Sequence, residues 1–169
     1  MRNIVLIGMP GSGKTTLSKA IAKTLQRPIV DIDTYIVETY RMSIPEMFAI
    51  GEKYFRECET LCCQKVARKK GHIIATGGGV IKNPMNIEYL KQNGCIVYLD
   101  RPIPEIVKDL DIYKRPLLHK GVQTIYDLYR ERHQKYLDAC DIHIINIKDI
   151  ETMSKMIIEE IIRYQEAMR

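Results

Sequence analysis

Residues 8–15 read Gly-Met-Pro-Gly-Ser-Gly-Lys-Thr, glycine-rich and closed by a lysine and a hydroxyl side chain. These residue types at this spacing suit the chemistry of a polyphosphate. Glycines let the backbone curl so that successive N–H groups converge on phosphate oxygens, beside the positive end of a helix dipole. Lys14 is placed to reach the β- and γ-phosphates, and the Thr15 hydroxyl to ligate Mg²⁺. The four fixed positions of the pattern GxxxxGK[ST] arise by chance in roughly one chain of this length per hundred. The competing reading is a glycine-rich strand-to-helix turn with an incidental lysine. The motif specifies a nucleoside triphosphate but not a kinase, because GTPases and motor ATPases share it. No NKxD-type guanine signature is present, and a larger ATPase would need more than these 169 residues.

Further candidates follow the other apolar runs. Asp31-Ile32-Asp33 closes the second run. Strand alternation there predicts both carboxylates on one side, at the carboxyl edge of a sheet, where doubly wound folds bind ligands. One carboxylate near a phosphate loop can hold Mg²⁺, usually through water, and a second can accept or orient the proton of an attacking hydroxyl. The alternative is a solvated acidic turn capping a helix at Thr34. Thr76-Gly77-Gly78-Gly79 closes the third run, and three glycines allow a close approach to the backbone, or simply a flexible loop. Arg56 and Arg132 are candidates for gripping a carboxylate by paired hydrogen bonds. Arg132 shares a helix face with Leu128, Tyr129 and Tyr136, whereas Arg130 lies off that stripe. Arg56 has Glu52 and Glu59 at helical spacing, so a surface ion pair competes with the binding role. Arg115, in Lys114-Arg115-Pro116-Leu117-Leu118, could close over the phosphates and stabilise charge during transfer.

The elements that must position these residues are legible in outline. Apolar runs rich in Ile and Val predict five strands, over 4–8, 29–32, 72–76, 95–99 and 142–146. Helical patterns fall between them, over 15–26, 52–70, 84–92, 103–110, 124–139 and 150–168. Ser43-Ile44-Pro45-Glu46 reads as a capping box opening a short helix that ends at Gly51. Strands alternating with helices predict an α/β fold with a parallel sheet flanked by helices on both faces. Residues 111–122 break the pattern and read as a mobile lid, within a single domain spanning 1–169.

Composition sets outer limits. A net charge of +5, from 26 basic and 21 acidic residues, is too mild for a nucleic-acid binder. Five cysteines without a CxxC argue against a disulfide framework and for a reducing, cytoplasmic setting. No run is long enough to span a bilayer, and Met-Arg-Asn ahead of Ile4–Ile7 is too short for a signal peptide.

Taken in order, the chain resembles the shikimate kinase family over essentially its whole length. The features that carry the likeness are the GxPGxGK[ST] loop, Asp31-Ile32-Asp33, Gly51-Glu52-Lys53-Tyr54-Phe55-Arg56, Gly77-Gly78-Gly79, Arg115-Pro116-Leu117-Leu118, and Arg132 upstream of Tyr136. The resemblance implies a P-loop kinase fold with strand order 2-3-1-4-5, acting on the route to chorismate and aromatic amino acids. It implies transfer of the γ-phosphoryl group of ATP to the 3-hydroxyl of shikimate. ATP would be bound by Gly11, Ser12, Gly13, Lys14, Thr15, Thr16 and Arg115, Mg²⁺ served by Thr15 and Asp31, and shikimate bound by Asp33, Arg56, Gly78 and Arg132. Lys14, Asp33 and Arg115 would be catalytic. The implied partners are ATP and shikimate, without nucleic acid or membrane, and a monomer is expected. The nearest rivals are a gluconate or nucleoside monophosphate kinase and a nucleotide-binding regulator without transferase activity. The chain departs from the family at Lys108, where an arginine packed near adenine is common. Asp109-Leu110-Asp111-Ile112-Tyr113 replaces glycines ahead of the lid, and the proline often seen after Arg132 is missing.

Overall fold

The computed structural model describes residues 1–109 and 121–168. Most of the expected lid, Arg115 included, lies outside the described residues, and Val122 begins a helix.

β1 (Asn3–Ile7) is buried along its whole length and stands at the centre of the sheet. It pairs in parallel with β3 (Ile73–Ala75) on one side and β4 (Gly94–Asp100) on the other. β2 (Ile29–Asp31) lies outside β3, and β5 (Ile142–Ile145) outside β4, so the order is 2-3-1-4-5 as the resemblance implies. Strand alternation divides the apolar residues between two cores. Val5, Ile7, Ile74, Ile96 and Tyr98 face one core, with Phe55, Val66 and Tyr136. Ile4, Leu6, Ile73, Val97 and Leu99 face the other, closed by Leu17 and Ile21 of α1 (Lys14–Leu25) and by Met153, Ile157 and Ile161 of α8 (Ile150–Ala167). Unbroken apolar runs are what burial on both faces requires.

The second βα junction differs from the sequence expectation. A helix, α2 (Ile32–Tyr40), begins directly after Asp31, where strand had been extended through Ile32. Asp31 is its N-cap, accepting from the Thr34 backbone N–H at 3.2 Å. A capping carboxylate outweighs strand propensity here, and Ile32 and Ile36 then bury one turn apart. Alternation therefore does not set the Asp31–Asp33 relation: Asp33 sits in the first turn of a helix.

The capping box does form, with Ser43 N–H donating to Glu46 Oε2 at 2.7 Å and Glu46 N–H to Ser43 Oγ at 3.4 Å. It opens α3 (Ile44–Ile50), and Gly51 separates α3 from α4 (Glu52–Ala67). Among the described residues the remaining α-helices are α5 (Pro84–Gln92), α6 (Ile103–Asp109) and α7 (Val122–Ala139). All five cysteines are free, and Cys58, Cys62, Cys63 and Cys95 pack as buried hydrophobes. Burial pushes the Cys95 thiol up to about 12. Among the described residues no helix is long and apolar enough to cross a membrane.

Leu6 is wholly buried in the α1–α8 core. Leu6→Ala should lower unfolding free energy by about 2–5 kcal/mol in urea titrations. Ile162→Ala, at an exposed position of α8, should change it by no more than about 0.5 kcal/mol.

Candidate active site

The loop after β1 meets α1 at Gly13, the N-cap, whose φ of 97° is a left-handed conformation that favours glycine. A Cβ there would also lie 2.8 Å from Asn146 Nδ2. No side chain caps this helix start, and a helix N-terminus of this kind suits an anion. The loop's carbonyls are taken up by side chains instead. Lys14 Nζ donates to the carbonyls of Gly8 and Met9, both at 2.8 Å. Arg101, just past β4, donates to Gly11 O at 3.1 Å, and Asn146, just past β5, donates to Ser12 O at 2.8 Å.

The loop opens onto a cavity of about 460 Å³. Gly11, Gly13, Lys14, Thr15 and Thr16 line its phosphate end. Asp31, Asp33, Arg56, Gly78 and Arg132 line it as well, so helices α1, α2, α4 and α7 bring the predicted residues together. Ser12 is buried in the loop and does not line the cavity. Thr15 Oγ1 donates to Asp31 Oδ2 at 3.3 Å, which sets two hard oxygens side by side next to the loop. Asp31 thus does both things the sequence offered as alternatives, capping α2 and facing the phosphate loop.

Gly77-Gly78-Gly79 makes a tight turn, closed by the Val80 N–H donating to the Gly77 carbonyl at 3.2 Å, and it also makes room. A Cβ on Gly77 would lie 2.9 Å from Asp33 Oδ1, one on Gly78 2.7 Å from the Pro10 ring, and one on Gly79 would run into the Arg56 guanidinium. Each glycine therefore admits a different part of the site. Tyr136 on α7 donates to the Gly78 carbonyl at 2.5 Å and ties the turn to the helix that carries Arg132.

Arg56 is held on three sides. It donates to Glu59 at 2.8 Å and to Glu52 at 3.3 Å, and its guanidinium carbon lies 5.0 Å from the centre of the Phe55 ring. The ion pair expected of a surface residue is present, yet Arg56 also faces the cavity. Glu59 itself is only 1% exposed. Burial raises its carboxyl pKa and the Asp33 charge adds to this, while Arg56 works against both. Glu59 is a site-forming residue that sequence reasoning took for a solvated neighbour. The signal was there: it sits on the apolar stripe of Phe55, Cys62, Cys63 and Val66.

Arg132 is 4% exposed, and its Nε has no hydrogen-bond partner among the described residues, since Glu131 is at 3.8 Å. A buried guanidinium with an unmet donor beside a cavity is equipped for an anion. Arg130 points outward, 75% exposed. Lys108 is exposed and paired with Glu105 at 2.7 Å, away from the cavity. Arg101 and Asn146 were missed, because neither belongs to a motif and both act on residues far away in the chain.

A parallel sheet with a GxxxxGK[ST] loop at its carboxyl edge, opening beside room for a small acceptor, defines a P-loop phosphotransferase. The shikimate kinase family model matches residues 10–165. The chain belongs to the shikimate kinase family and is an ATP-dependent kinase. It is 42% identical over 162 residues to a shikimate kinase of Clostridium botulinum strain Alaska E43, covering 95% of this chain and 96% of that enzyme. A shikimate kinase of Clostridium beijerinckii is 41% identical, with 96% of each chain covered. The solved shikimate kinase from Acinetobacter baumannii in complex with shikimate superposes with a TM-score of 0.91 at 32% identity, covering 96% of this chain and 94% of that one. A gluconokinase from Sinorhizobium meliloti, at TM-score 0.63 and 13% identity, shares the fold alone.

Gly79→Ala should push the Arg56 guanidinium out of place. We expect the KM for the acceptor to rise roughly tenfold or more, the size of one lost charged hydrogen bond. The KM for ATP should stay within about twofold, because the change leaves the phosphate loop alone. Equal rises in both would mean that the turn positions the loop rather than Arg56.

Proposed function

We propose that this protein transfers the γ-phosphoryl group of ATP to the 3-hydroxyl of shikimate, giving ADP and shikimate 3-phosphate. The observation that carries the reading is the pairing, in one cavity, of the phosphate loop with a buried Arg132 and an anchored Arg56. Shikimate brings one carboxylate, and two planar guanidinium groups suit it better than lysines would.

In this reading Arg132, Arg56 and the Gly78 backbone hold the acceptor while Asp33 orients its hydroxyl and takes the proton. The new bond joins the hydroxyl oxygen to the γ-phosphorus as the bond from that phosphorus to the β,γ-bridging oxygen breaks, with ADP leaving. Lys14 brings its charge to the transferring phosphates, and the loop N–H groups hold them in line. Most of the catalytic effect then comes from positioning and fixed charge. Thr15 and Asp31, two hard oxygen donors side by side, would hold Mg²⁺. When bound, that ion neutralises charge on the β- and γ-phosphates. Arg115, which is outside the described residues, is assigned to the phosphates from the sequence alone. A reducing cytoplasm fits five free cysteines.

An acceptor screen tests the reading. Release of ADP with shikimate, and not with gluconate, AMP or CMP, is the expected result. Turnover with gluconate and none with shikimate would sink it. Asp33→Asn should lose turnover by at least about a hundredfold while ATP-analogue affinity changes little, as removal of a general base does. Equal losses in both would make Asp33 a structural or metal residue.

Arg132→Ala should weaken shikimate binding by roughly one to two decades and ATP binding far less. Arg132→Lys should recover only part, because an ammonium lacks the planar pair of donors. Arg130→Ala is the control and should be neutral in calorimetric titrations. A costly Arg130 and a neutral Arg132 would overturn the assignment.

A further inference from the structure

A second cavity of about 340 Å³ adjoins the first. Gly13, Thr16, Arg101 and Asp109 line both, so these residues stand at the boundary between them. The second cavity continues past Leu17, Ile147 and Ile150, an apolar strip against which a flat ring can lie, with Asn146, Glu105 and Lys148 as its polar border. A nucleoside triphosphate with its terminal phosphates in the loop must cross Gly13 and Thr16 to seat its nucleoside there. Arg101 is the one cation among these four shared residues.

We propose that Arg101 contacts the nucleotide, its guanidinium meeting ATP where the α-phosphate passes into the nucleoside. The inference rests on the ATP-dependent reading of the site and adds a residue that no motif marked. Two bonds anchor Arg101 in this position. Its Nη1 donates to the Gly11 carbonyl at 3.1 Å, and its Nη2 pairs with the Asp109 carboxylate at the end of α6. These bonds engage two of the five N–H donors of a guanidinium, so it can serve a ligand without releasing the loop. Its side chain is 21% exposed, which limits screening by water. Lys108, the lysine put forward for the adenine end, lines neither cavity. Asp109 brings a negative charge to the path of a triphosphate, and Arg101 offsets it.

Three effects of Arg101 are separable by titration of the full chain with a non-hydrolysable ATP analogue and Mg²⁺, without acceptor. Arg101→Ala should weaken the analogue roughly tenfold to a hundredfold. Magnesium pyrophosphate, which fills only the terminal phosphate positions, should bind within about twofold of wild type. Asp109→Asn should not weaken the analogue, and Arg101→Ala/Asp109→Asn should remain as weak as a direct contact demands. Recovery to wild-type affinity in the double variant would overturn the proposal, since Arg101 would then only mask Asp109. An equal loss of pyrophosphate would overturn it too, since Arg101 would then only brace Gly11. Should Arg101→Ala melt well below wild type, Arg101→Gln gives the same comparison, with the same two results counting against it. A wild-type protein that binds the analogue but phosphorylates no shikimate would defeat the acceptor reading and leave the Arg101 assignment standing.

Discussion

A loop that turns its N–H groups toward phosphate must turn carbonyls away from it, and those carbonyls need donors of their own. Much of this structure answers that requirement. Lys14 satisfies the carbonyls of Gly8 and Met9 from within the loop, and Arg101 and Asn146 satisfy Gly11 and Ser12 from the ends of β4 and β5. An unmet buried carbonyl would cost about 1–3 kcal/mol. β4 and β5 therefore contribute to the site through the residue immediately beyond each strand. The parallel sheet matters for the same reason: it brings the carboxyl ends of every strand to one edge.

The acceptor end obeys a different constraint, the cost of burying charge. Glu59 is buried in α4, and its charge is tolerable because Arg56 donates to it directly. Arg56 is in turn stacked on Phe55 and admitted by the absence of a side chain at Gly79. Arg132, on α7, lacks so close a partner for Nε, and the asymmetry leaves it the better anion receptor. Rigidity at one arginine and an unmet donor at the other suit a site that binds a carboxylate in one orientation.

The glycine run links the two ends. Pro10 of the phosphate loop packs where a Gly78 side chain would be, and Tyr136 holds the Gly78 carbonyl from α7. The Tyr136 phenol is pushed above its ordinary pKa by burial, so it stays a donor throughout the working range. A change at this turn reaches Asp33, Pro10 and Arg56 together, so the phosphate and acceptor sites share a wall.

The residues by themselves determined the phosphate loop, the five strands, the capping box at Ser43, the inward Arg132 and the family. The family rests on the resemblance of the ordered motifs, and the others on local spacing or periodicity, which a chain displays whatever its fold. Legibility ended where the deciding partner is remote. Arg101 meets Gly11 across 90 residues and Asn146 meets Ser12 across 134, so no window of sequence contains either contact. A helix at Thr34 stood only as the alternative reading, because Asp31 suits both a strand end and a helix cap, and the Thr34 N–H decided for the cap. The three glycines offered a close approach to the backbone or a flexible loop, and tertiary packing decided for the close approach by bringing Asp33, Pro10 and Arg56 against them. Whether an ion pair such as Arg56–Glu59 lies in water or beneath a cavity depends on what packs above the helix, and only the folded chain supplies that.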